Sequence, residues 1–289
     1  MANYQLLEKI GGGGFADIWR AVREDTMEEV AIKMLRDYHN RDARHRFQRE
    51  VRMLKGLRHR RVIRMIEANV EAEQPFYVMP LMKGGALTRW AGHLDSQILR
   101  GILIELADFL AYLHEQGGFH RDIKPDNLLV DATGQFAVGD FGLGNNPYYT
   151  VMFTANAAGT WGYIAPELTR QGAQATAAAD IYSLGASLFH LLTGVHPAQH
   201  SSLDPWLLRR DIPADLRNLV LQMVQPDPAH RPTAKWILQV LNPPKEQPRP
   251  QPAASKTTSS SGSDIWKAVV GFGGVAAVLA LIAAAVSDD

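Results

Sequence analysis

"FHRDIKPDNLLV" at residues 119–130, followed by "VGDFGLG" at 138–144, is the part of the sequence that decides the fold. In both stretches, acidic or amide side chains occupy turns between strand-like apolar runs. Carboxylate and amide oxygens are ligands that Mg²⁺ prefers, and phosphoryl transfer requires the charge of the phosphates to be neutralised. Asp122 is placed to orient an attacking hydroxyl and accept its proton, while Asn127 and Asp140 offer oxygens to a metal ion. The pattern therefore indicates a phosphoryl-transfer site.

A lysine and a glutamate nearer the N-terminus form a second candidate pair. The stretch "EEVAIKML" at 28–35 predicts a strand that contains Lys33, and residues 41–59 predict an amphipathic helix. The apolar face of that helix carries Phe47, Val51 and Leu54. Glu50 lies next to this face, where an ion pair with Lys33 would aim the lysine at a bound phosphate. A lone lysine in a strand is usually a solvated edge residue, but Lys33 follows a Gly-rich hairpin at the right distance to lie beneath it. From its segment alone, Glu50 is more simply a surface carboxylate.

Four consecutive glycines occur in "KIGGGGFADIW" at residues 9–19. Glycine suits any position that needs a positive φ or the close approach of another group. A run of this kind is an ordinary turn more often than a phosphate-binding loop, so by itself it leaves both alternatives open.

These segments together resemble the protein kinase family, in its Hanks-type serine/threonine branch, over residues 4–241. The matching positions, in family order, are Gly11, Gly13 and Ala16 in the glycine loop; Val30-Ala31-Ile32-Lys33; Glu50; His120-Arg121-Asp122 with Asn127; Asp140-Phe141-Gly142; and Ala165-Pro166-Glu167. Later stretches, "DIYSLG" at 180–185 and "DPAHRPT" at 227–233, also resemble family signatures. Each motif alone is weak, but the whole series in order is specific.

The resemblance implies an α+β fold with two lobes, a small β-rich N-lobe and a larger helical C-lobe. It implies ATP as the phosphate donor, with Mg²⁺ or alternatively Mn²⁺. The implied catalytic residues are Asp122, Lys33, Lys124 and Glu50. The implied nucleotide-binding residues are Ile10, Gly11, Gly13, Phe15, Ile18, Ala31, Lys33, Met79, Met82, Asn127 and Asp140, and the metal ligands are Asn127 and Asp140. Two structural roles follow as well: Asp180 braces the catalytic loop, and Arg231 pairs with Glu167.

The acceptor class is also implied by the resemblance. Lys124 stands two residues after Asp122, as in similar serine/threonine kinases, and Thr160 in "GTWGYIAPE" (159–167) matches a threonine of the same branch. We therefore expect protein substrates that offer serine or threonine hydroxyls.

The sequence departs from the family pattern at several positions. Pro80 stands where the first hinge residue is commonly glutamate, but proline keeps the carbonyl that adenine recognition uses. Ala16 replaces the third loop glycine, and the span from Gly194 to Asp215 is short, so peptide selectivity does not carry over. Gly12 and Gly14 occupy variable positions, where we expect them to add flexibility rather than contacts.

Two threonines in the segment between Asp140 and Glu167 are candidates for autophosphorylation. Because Arg121 is present, the chain resembles kinases in which a phosphate on this segment pairs with that arginine. Thr154 is the first candidate and Thr150 the second, and the alternative is that both are solvated loop residues.

Composition limits the function classes. Lys and Arg together number 30, as do Asp and Glu, so the balance indicates no nucleic-acid partner. The chain has no cysteine, which excludes disulfides, thiolate zinc sites and a cysteine nucleophile.

The C-terminal part of the sequence differs from the rest. Residues 242–264 are rich in Pro, Ser and Thr and predict a linker. An uncharged apolar stretch at 268–286 predicts a transmembrane helix over 265–287, and a buried or disordered Ala/Gly-rich tail is the alternative.

No secretory signal peptide is recognisable at the N-terminus, so we expect a single-pass membrane protein with a cytoplasmic kinase domain, similar to bacterial membrane-linked kinases. Gly273 and Ala277 suggest helix pairing, hence a homodimer that phosphorylates itself in trans.

Two other functions compete with an active protein kinase. A pseudokinase scaffold would bind ATP or partners without catalysis, but Lys33, Asp122, Asn127 and Asp140 are all retained. A kinase-like enzyme acting on small molecules is disfavoured by the "GTWGY" and Ala165-Pro166-Glu167 segments, which such enzymes generally lack.

Overall fold

An antiparallel sheet forms most of the N-terminal lobe. The computed structural model describes residues 3–13, 15–141, 161–170, 173–199 and 211–242. The strands of this five-stranded sheet are β1 (Tyr4–Gly12), β2 (Ala16–Arg23), β3 (Glu29–Leu35), β4 (Glu67–Asn69) and β5 (Phe76–Pro80), in the spatial order β1-β2-β3-β5-β4. Every neighbouring pair in it is antiparallel.

The residue alternation along β3 decides which way Lys33 points. Val30, Ile32 and Met34 are buried in a small apolar cluster on one face of the sheet, whereas Ala31 and Leu35 belong to the main core on the other face. Successive side chains of a strand point to opposite faces, so Lys33 shares the face of the main core.

Helix α1 (Arg41–Gly56) covers that face of the sheet. It begins after Asn40, whose side chain accepts hydrogen bonds from the backbone N–H groups of Asp42 and Ala43. Its buried residues are Ala43, Phe47, Glu50, Val51 and Leu54, which include the predicted apolar face. Glu50 lies within this buried stripe, so the interpretation of Glu50 as a surface carboxylate is wrong.

The C-terminal lobe is mainly helical. Its α-helices in the described ranges are α2 (Ser96–Glu115), α3 (Ala177–Thr193), α4 (Ala214–Met223) and α5 (Ala234–Leu241). A small sheet is formed by β6 (Gly85–Ala86), β7 (Leu128–Val130) and β8 (Phe136–Val138); β6 precedes α2 in the chain, and β7 and β8 follow it. The turns that enter β7 and leave β8 carry the residues from which the sequence analysis began. The predicted α+β arrangement of two lobes is confirmed.

The predicted transmembrane helix at 265–287 and the linker after residue 242 lie outside the described residues. Among the helices that the structure does describe, none has the length and apolar character needed to span a membrane.

Candidate active site

Lys33 connects the two lobes through two carboxylates. Its Nζ lies 2.7 Å from Glu50 Oε1 on α1 and 3.0 Å from Asp140 Oδ1 after β8. The expected Lys33–Glu50 ion pair is therefore present, and the solvated-edge interpretation of Lys33 is wrong because its side chain is buried. Tyr77, on the neighbouring strand β5, donates its hydroxyl to the same Glu50 oxygen at 2.8 Å. Tyr77 was not predicted as a site residue, because an aromatic residue in an apolar strand is usually part of the core.

The charges of this cluster stabilise one another. Burial by itself would lower the pKa of Lys33, but the Asp140 and Glu50 carboxylates outweigh it and raise that pKa well above its ordinary value. The Lys33 ammonium lowers the pKa of Asp140 to about 2. Burial raises the pKa of Glu50 against the opposing effect of Lys33. The ammonium and the Asp140 carboxylate thus remain charged around neutral pH.

Phe141 anchors Asp140. The Phe141 ring is buried, with its centroid 4.7 Å from that of His120 and 6.1 Å from that of Phe109, both in edge-on arrangements. Asp140 itself has a φ of 56°, a left-handed conformation that is uncommon for a residue with a side chain. The buried neighbour fixes this backbone turn, and the turn directs the Asp140 carboxylate towards Lys33.

The turn before β7 brings three of the predicted site residues together. Asp122 Oδ2 accepts a hydrogen bond from Asn127 Nδ2 at 2.9 Å and lies 2.9 Å from Lys124 Nζ. Asn127 Nδ2 also donates to the backbone carbonyl of Asp122 at 2.7 Å. Asp122 Oδ1 is buried and accepts no hydrogen bond from the described residues. One oxygen of Asp122 is therefore held in place, while the other keeps its lone pairs for an incoming donor.

Asp180 braces this turn from α3. Its buried carboxylate accepts hydrogen bonds from the backbone N–H groups of His120 at 2.9 Å and Arg121 at 2.7 Å. His114 Nε2 lies 3.0 Å from the same carboxylate. Arg121 has a φ of 69°, and the two backbone hydrogen bonds compensate for that conformation. The contact implied for Asp180 is present.

Arg231 and Glu167 form the second implied structural contact. Arg231 Nη1 and Nη2 donate to the two Glu167 carboxylate oxygens at 2.7 and 2.8 Å, a bidentate arrangement. The guanidinium also donates to the backbone carbonyls of Gln225, Pro226 and Ala178.

Cross-strand pairs bring five of the implied nucleotide-binding residues together on neighbouring strands of the sheet. Gly11 pairs with Ile18, Ile18 with Lys33, and Ala31 with Met79. Met79 is buried, and Met82 is half-buried in the turn that follows β5.

The tip and outer edge of the β1–β2 hairpin are more open. Ile10 is 46% exposed and Phe15 is 44% exposed, so both side chains remain available to a ligand. The guanidinium of Arg46, on α1, lies 4.6 Å from the centroid of the Phe15 ring.

The expectation for Gly12 is wrong. A Cβ atom at Gly12 would lie 2.9 Å from Asp17 Oδ1 and 3.2 Å from the Ala16 carbonyl oxygen, so a side chain at this position would make both groups shift. A Cβ at Gly13 would meet nothing within 4 Å. Gly14 lies outside the described residues.

Other predicted residues also lie outside the described ranges. They are Gly142 and the candidate phosphorylation and branch-marking threonines Thr150, Thr154 and Thr160.

The donor set fits a hard divalent cation and a nucleotide. With its Nδ2 directed at Asp122, Asn127 keeps its amide oxygen for a metal, and Asp140 supplies a carboxylate held ionised by Lys33. Beside this set, Asp122 Oδ1 has no hydrogen-bond partner among the described residues and can accept a hydrogen bond from a substrate group.

The family model of the protein kinase domain matches residues 4–241. The chain belongs to the protein kinase family.

Several of its relatives are serine/threonine kinases, which confirms the resemblance to that branch. It is 33% identical to serine/threonine-protein kinase PrkC of Bacillus subtilis over 79% of this chain and 38% of that protein. It is 37% identical to the DNA damage-responsive serine/threonine-protein kinase RqkA of Deinococcus radiodurans over 67% of this chain and 30% of that protein. It is 31% identical to CBL-interacting protein kinase 19 of Oryza sativa over 83% of this chain and 50% of that protein. The chain thus spans half or less of the length of these relatives.

Proposed function

We propose that this chain transfers the γ-phosphoryl group of Mg-ATP to serine and threonine hydroxyls of proteins. The observation that carries the proposal is Asp122, a buried carboxylate with one oxygen fixed by Asn127 and Lys124 and the other unpartnered among the described residues. A general base needs this combination, because the carboxylate must be oriented and must still have a lone pair for the proton it accepts.

In the proposed reaction, the acceptor hydroxyl donates its proton to Asp122 Oδ1. The new bond joins the hydroxyl oxygen to the γ-phosphorus, the bond to the leaving ADP oxygen breaks, and the proton stays on Asp122. The Lys124 ammonium lies 2.9 Å from Asp122 Oδ2. In the proposed reaction its positive charge stabilises the negative charge of the γ-phosphoryl group during transfer. Positioning and charge stabilisation supply most of the catalysis in this type of reaction.

Lys33 has the role of holding phosphate oxygens. Its ammonium is fixed by Glu50 and Asp140, so its position is settled before a nucleotide arrives. The proposed metal ligands are Asn127 and Asp140, and Mg²⁺ bound there would neutralise the charge of the phosphates. Mn²⁺ prefers similar oxygen ligands and is the alternative cation.

The acceptor class rests on Lys124 and on the relatives. Two bacterial relatives are named as serine/threonine kinases, and Lys124, which stands at the position typical of that branch, has its Nζ 2.9 Å from Asp122 Oδ2. Autophosphorylation at Thr154, or second at Thr150, belongs to the same proposal.

The proposed organisation is a kinase domain at 4–241, a linker at 242–264 and a membrane-spanning helix at 265–287, with the kinase domain in the cytoplasm of a bacterial cell. Its support is the uncharged stretch at 268–286, long enough as a helix to cover about 30 Å. Pairing through Gly273 and Ala277 would place two kinase domains close enough to phosphorylate each other.

The test uses the full chain with radiolabelled ATP, Mg²⁺ and a generic protein substrate, followed by phosphoamino-acid analysis. We expect phosphoserine and phosphothreonine from the wild type and none above background from Asp122→Asn. Equal activity of the two proteins would contradict the assignment, and phosphotyrosine alone would contradict the acceptor class.

Two further measurements address regulation and location. Phosphopeptide mapping of wild type against Asp122→Asn should find phosphate on Thr154 or Thr150 only in the active protein, and no phosphate on either would contradict the autophosphorylation site. Deletion of 265–289 should move the protein from the membrane fraction to the soluble fraction, and an unchanged membrane fraction would contradict the span.

A further inference from the structure

Asp17 on β2 connects three consecutive segments of the sheet. Its carboxylate lies 2.7 Å from Lys9 Nζ on β1 and accepts hydrogen bonds from Nε and Nη2 of Arg36, which follows β3 directly. None of these three residues occupies a motif position of the kinase family, and charged residues on strands are usually solvated.

Arg36 carries this connection to the tip of the glycine hairpin. Its Nη2 donates to the Gly13 carbonyl oxygen at 3.1 Å, and its backbone N–H donates to the Phe15 carbonyl at 2.8 Å. The Gly13 backbone N–H donates to the Ala16 carbonyl at 3.0 Å. The hairpin tip is thus tied both to β2 and to the residue after β3.

The close contact at Gly12 belongs to the same arrangement. Asp17 Oδ1 occupies the space that a Cβ at Gly12 would need, and Arg36 Nη2 lies 3.4 Å from that position. A glycine at this position allows the carboxylate to reach both cations across the hairpin.

The carboxylate keeps its charge throughout the physiological range. The hydrogen bonds from Arg36 and Lys9 lower the pKa of Asp17 to about 2. The Asp17 side chain is 19% exposed and that of Arg36 is 48% exposed, so the contacts lie at the edge of the hairpin and not in the core.

We infer that Asp17 and Arg36 are positioning residues that hold the glycine hairpin in its nucleotide-binding position. The inference rests on the proposed ATP site. A loop held in its bound conformation loses less conformational entropy when the ligand binds. The contacts should therefore strengthen nucleotide binding, while proton transfer at Asp122 proceeds as before. Their removal should raise KM for ATP and leave kcat nearly unchanged.

The experiment compares Asp17→Asn, Asp17→Glu, Arg36→Lys and Lys9→Met with the wild type in the full chain. KM for ATP, kcat, the dissociation constant of a fluorescent ATP analogue and the melting temperature are measured for each protein. We expect KM and the dissociation constant to rise about two- to fivefold in Asp17→Asn, with kcat within about twofold. Asp17→Glu keeps the charge and should restore most of the affinity.

Arg36→Lys separates nucleotide positioning from strand pairing. A lysine can still pair with Asp17, but its single ammonium cannot reproduce the planar fork that also reaches the Gly13 carbonyl. We expect a raised KM in Arg36→Lys and a near-normal KM in Lys9→Met, because Lys9 contacts Asp17 without touching the hairpin tip. Wild-type affinities in Asp17→Asn and Arg36→Lys would overturn the inference, as would a fall in kcat that accompanies the rise in KM. If the wild type itself binds no ATP analogue, the proposed function fails and this inference falls with it.

Gly12→Ala provides an independent check through a double-mutant cycle. Its added methyl group should displace the Asp17 carboxylate and raise KM for ATP, and it should raise KM little further in the Asp17→Ala background. Fully additive effects on KM would overturn the inference.

Discussion

Lys33 Nζ and Glu50 Oε1 lie 2.7 Å apart, and both side chains are buried between the sheet and α1. The pair fixes the ammonium at the junction of the lobes and couples the position of α1 to that of the proposed phosphate site. Glu50 also accepts the Tyr77 hydroxyl, so two elements hold the carboxylate in place.

Replacing Glu50 by glutamine removes the negative charge of this pair but keeps the size and shape of the side chain, so it tests the charge alone. Gln keeps a hydrogen-bond acceptor but leaves the buried ammonium with Asp140 alone, and small displacements of a positioned group cost about 10²-fold in rate. We expect kcat/KM for ATP to fall by about that factor. Glu105→Gln is the matched control, because Glu105, on α2, is also a carboxylate in an ion pair, but its partners are Arg60 and Arg61 rather than Lys33. A Glu50→Gln enzyme as active as the control would contradict the role of the pair.

The Lys33–Glu50 pair was predictable because the resemblance to the protein kinase family implies it, although the two segments alone favour a surface carboxylate for Glu50. A lysine in an apolar strand and a glutamate on the next helix meet in the family that the catalytic turn identifies. Asp180 and its contacts with the turn were predictable for the same reason.

Other parts of the site could not be predicted, because they depend on contacts between residues that lie outside the family motifs. Tyr77 reads as an apolar strand residue, since its hydroxyl partner lies on a helix that the strand pattern does not specify. Asp17 and Arg36 are 19 residues apart, and only the register of β2 against β3 brings them together. Gly12 read as a flexible residue because its contact is with that unrecognised carboxylate.

Asp122→Asn tests the proposed general base. An amide has no comparable affinity for a proton, so we expect kcat to fall by about 10²- to 10⁴-fold with KM for ATP nearly unchanged. Asp126→Asn is the control in the same turn, because Asp126 is exposed and makes no hydrogen bond to Asp122. Steady-state assays on purified full-length proteins decide the matter. A KM that rises while kcat persists would show that Asp122 acts in binding instead.

Arg231→Met should be strongly destabilising. The Arg231 side chain is fully buried, and its loss leaves Glu167 and three backbone carbonyls without their donor. Breaking a buried ion pair in this way costs about 3–5 kcal/mol of unfolding free energy. Arg60→Met removes an arginine that also contacts two carboxylates but is 53% exposed, and it should cost at most about 1 kcal/mol. Urea unfolding measures the unfolding free energy of both variants against the wild type. Equal losses of unfolding free energy would show that burial does not make the Arg231–Glu167 pair more important than the exposed pairs of Arg60.

Gly185→Ala should destabilise the contact between α3 and α4. A Cβ there would lie 2.7 Å from Met223 Cβ and 2.9 Å from Val224 Cγ1, too close without movement of one helix. Overpacking of this kind costs about 1–3 kcal/mol. Gly56→Ala, at the end of α1, meets nothing within 4 Å and should be neutral or slightly stabilising. Melting curves of the two variants should therefore shift in different directions, and a shared shift would refute the packing explanation.

His190 should make the stability of the chain depend on pH near neutrality. Its Nδ1 lies 2.5 Å from the Tyr163 hydroxyl, and its ring centroid lies 5.6 Å from that of His196. Burial, followed by His196, lowers the pKa of His190 below its ordinary value of 6.5, although Asp126 opposes the shift. As the pH falls below 6.5, the unfolded chain binds a proton that the folded chain resists.

The stabilisation that neutral His190 gives the folded chain is therefore fully present at pH values above the pKa of His190 in the unfolded chain. It is lost as the pH falls through the lower pKa that His190 has in the folded chain. One full proton corresponds to about 1.4 kcal/mol per pH unit, and His190 should contribute a fraction of that slope. His190→Asn keeps an acceptor for the Tyr163 hydroxyl but cannot be protonated, so its unfolding free energy should fall less between pH 7.5 and 5.5. Urea unfolding across this range, with the wild type alongside, measures the difference. Some slope should remain in the variant, because burial also lowers the pKa of His120. Parallel pH curves for the two proteins would show that His190 does not couple protonation to folding.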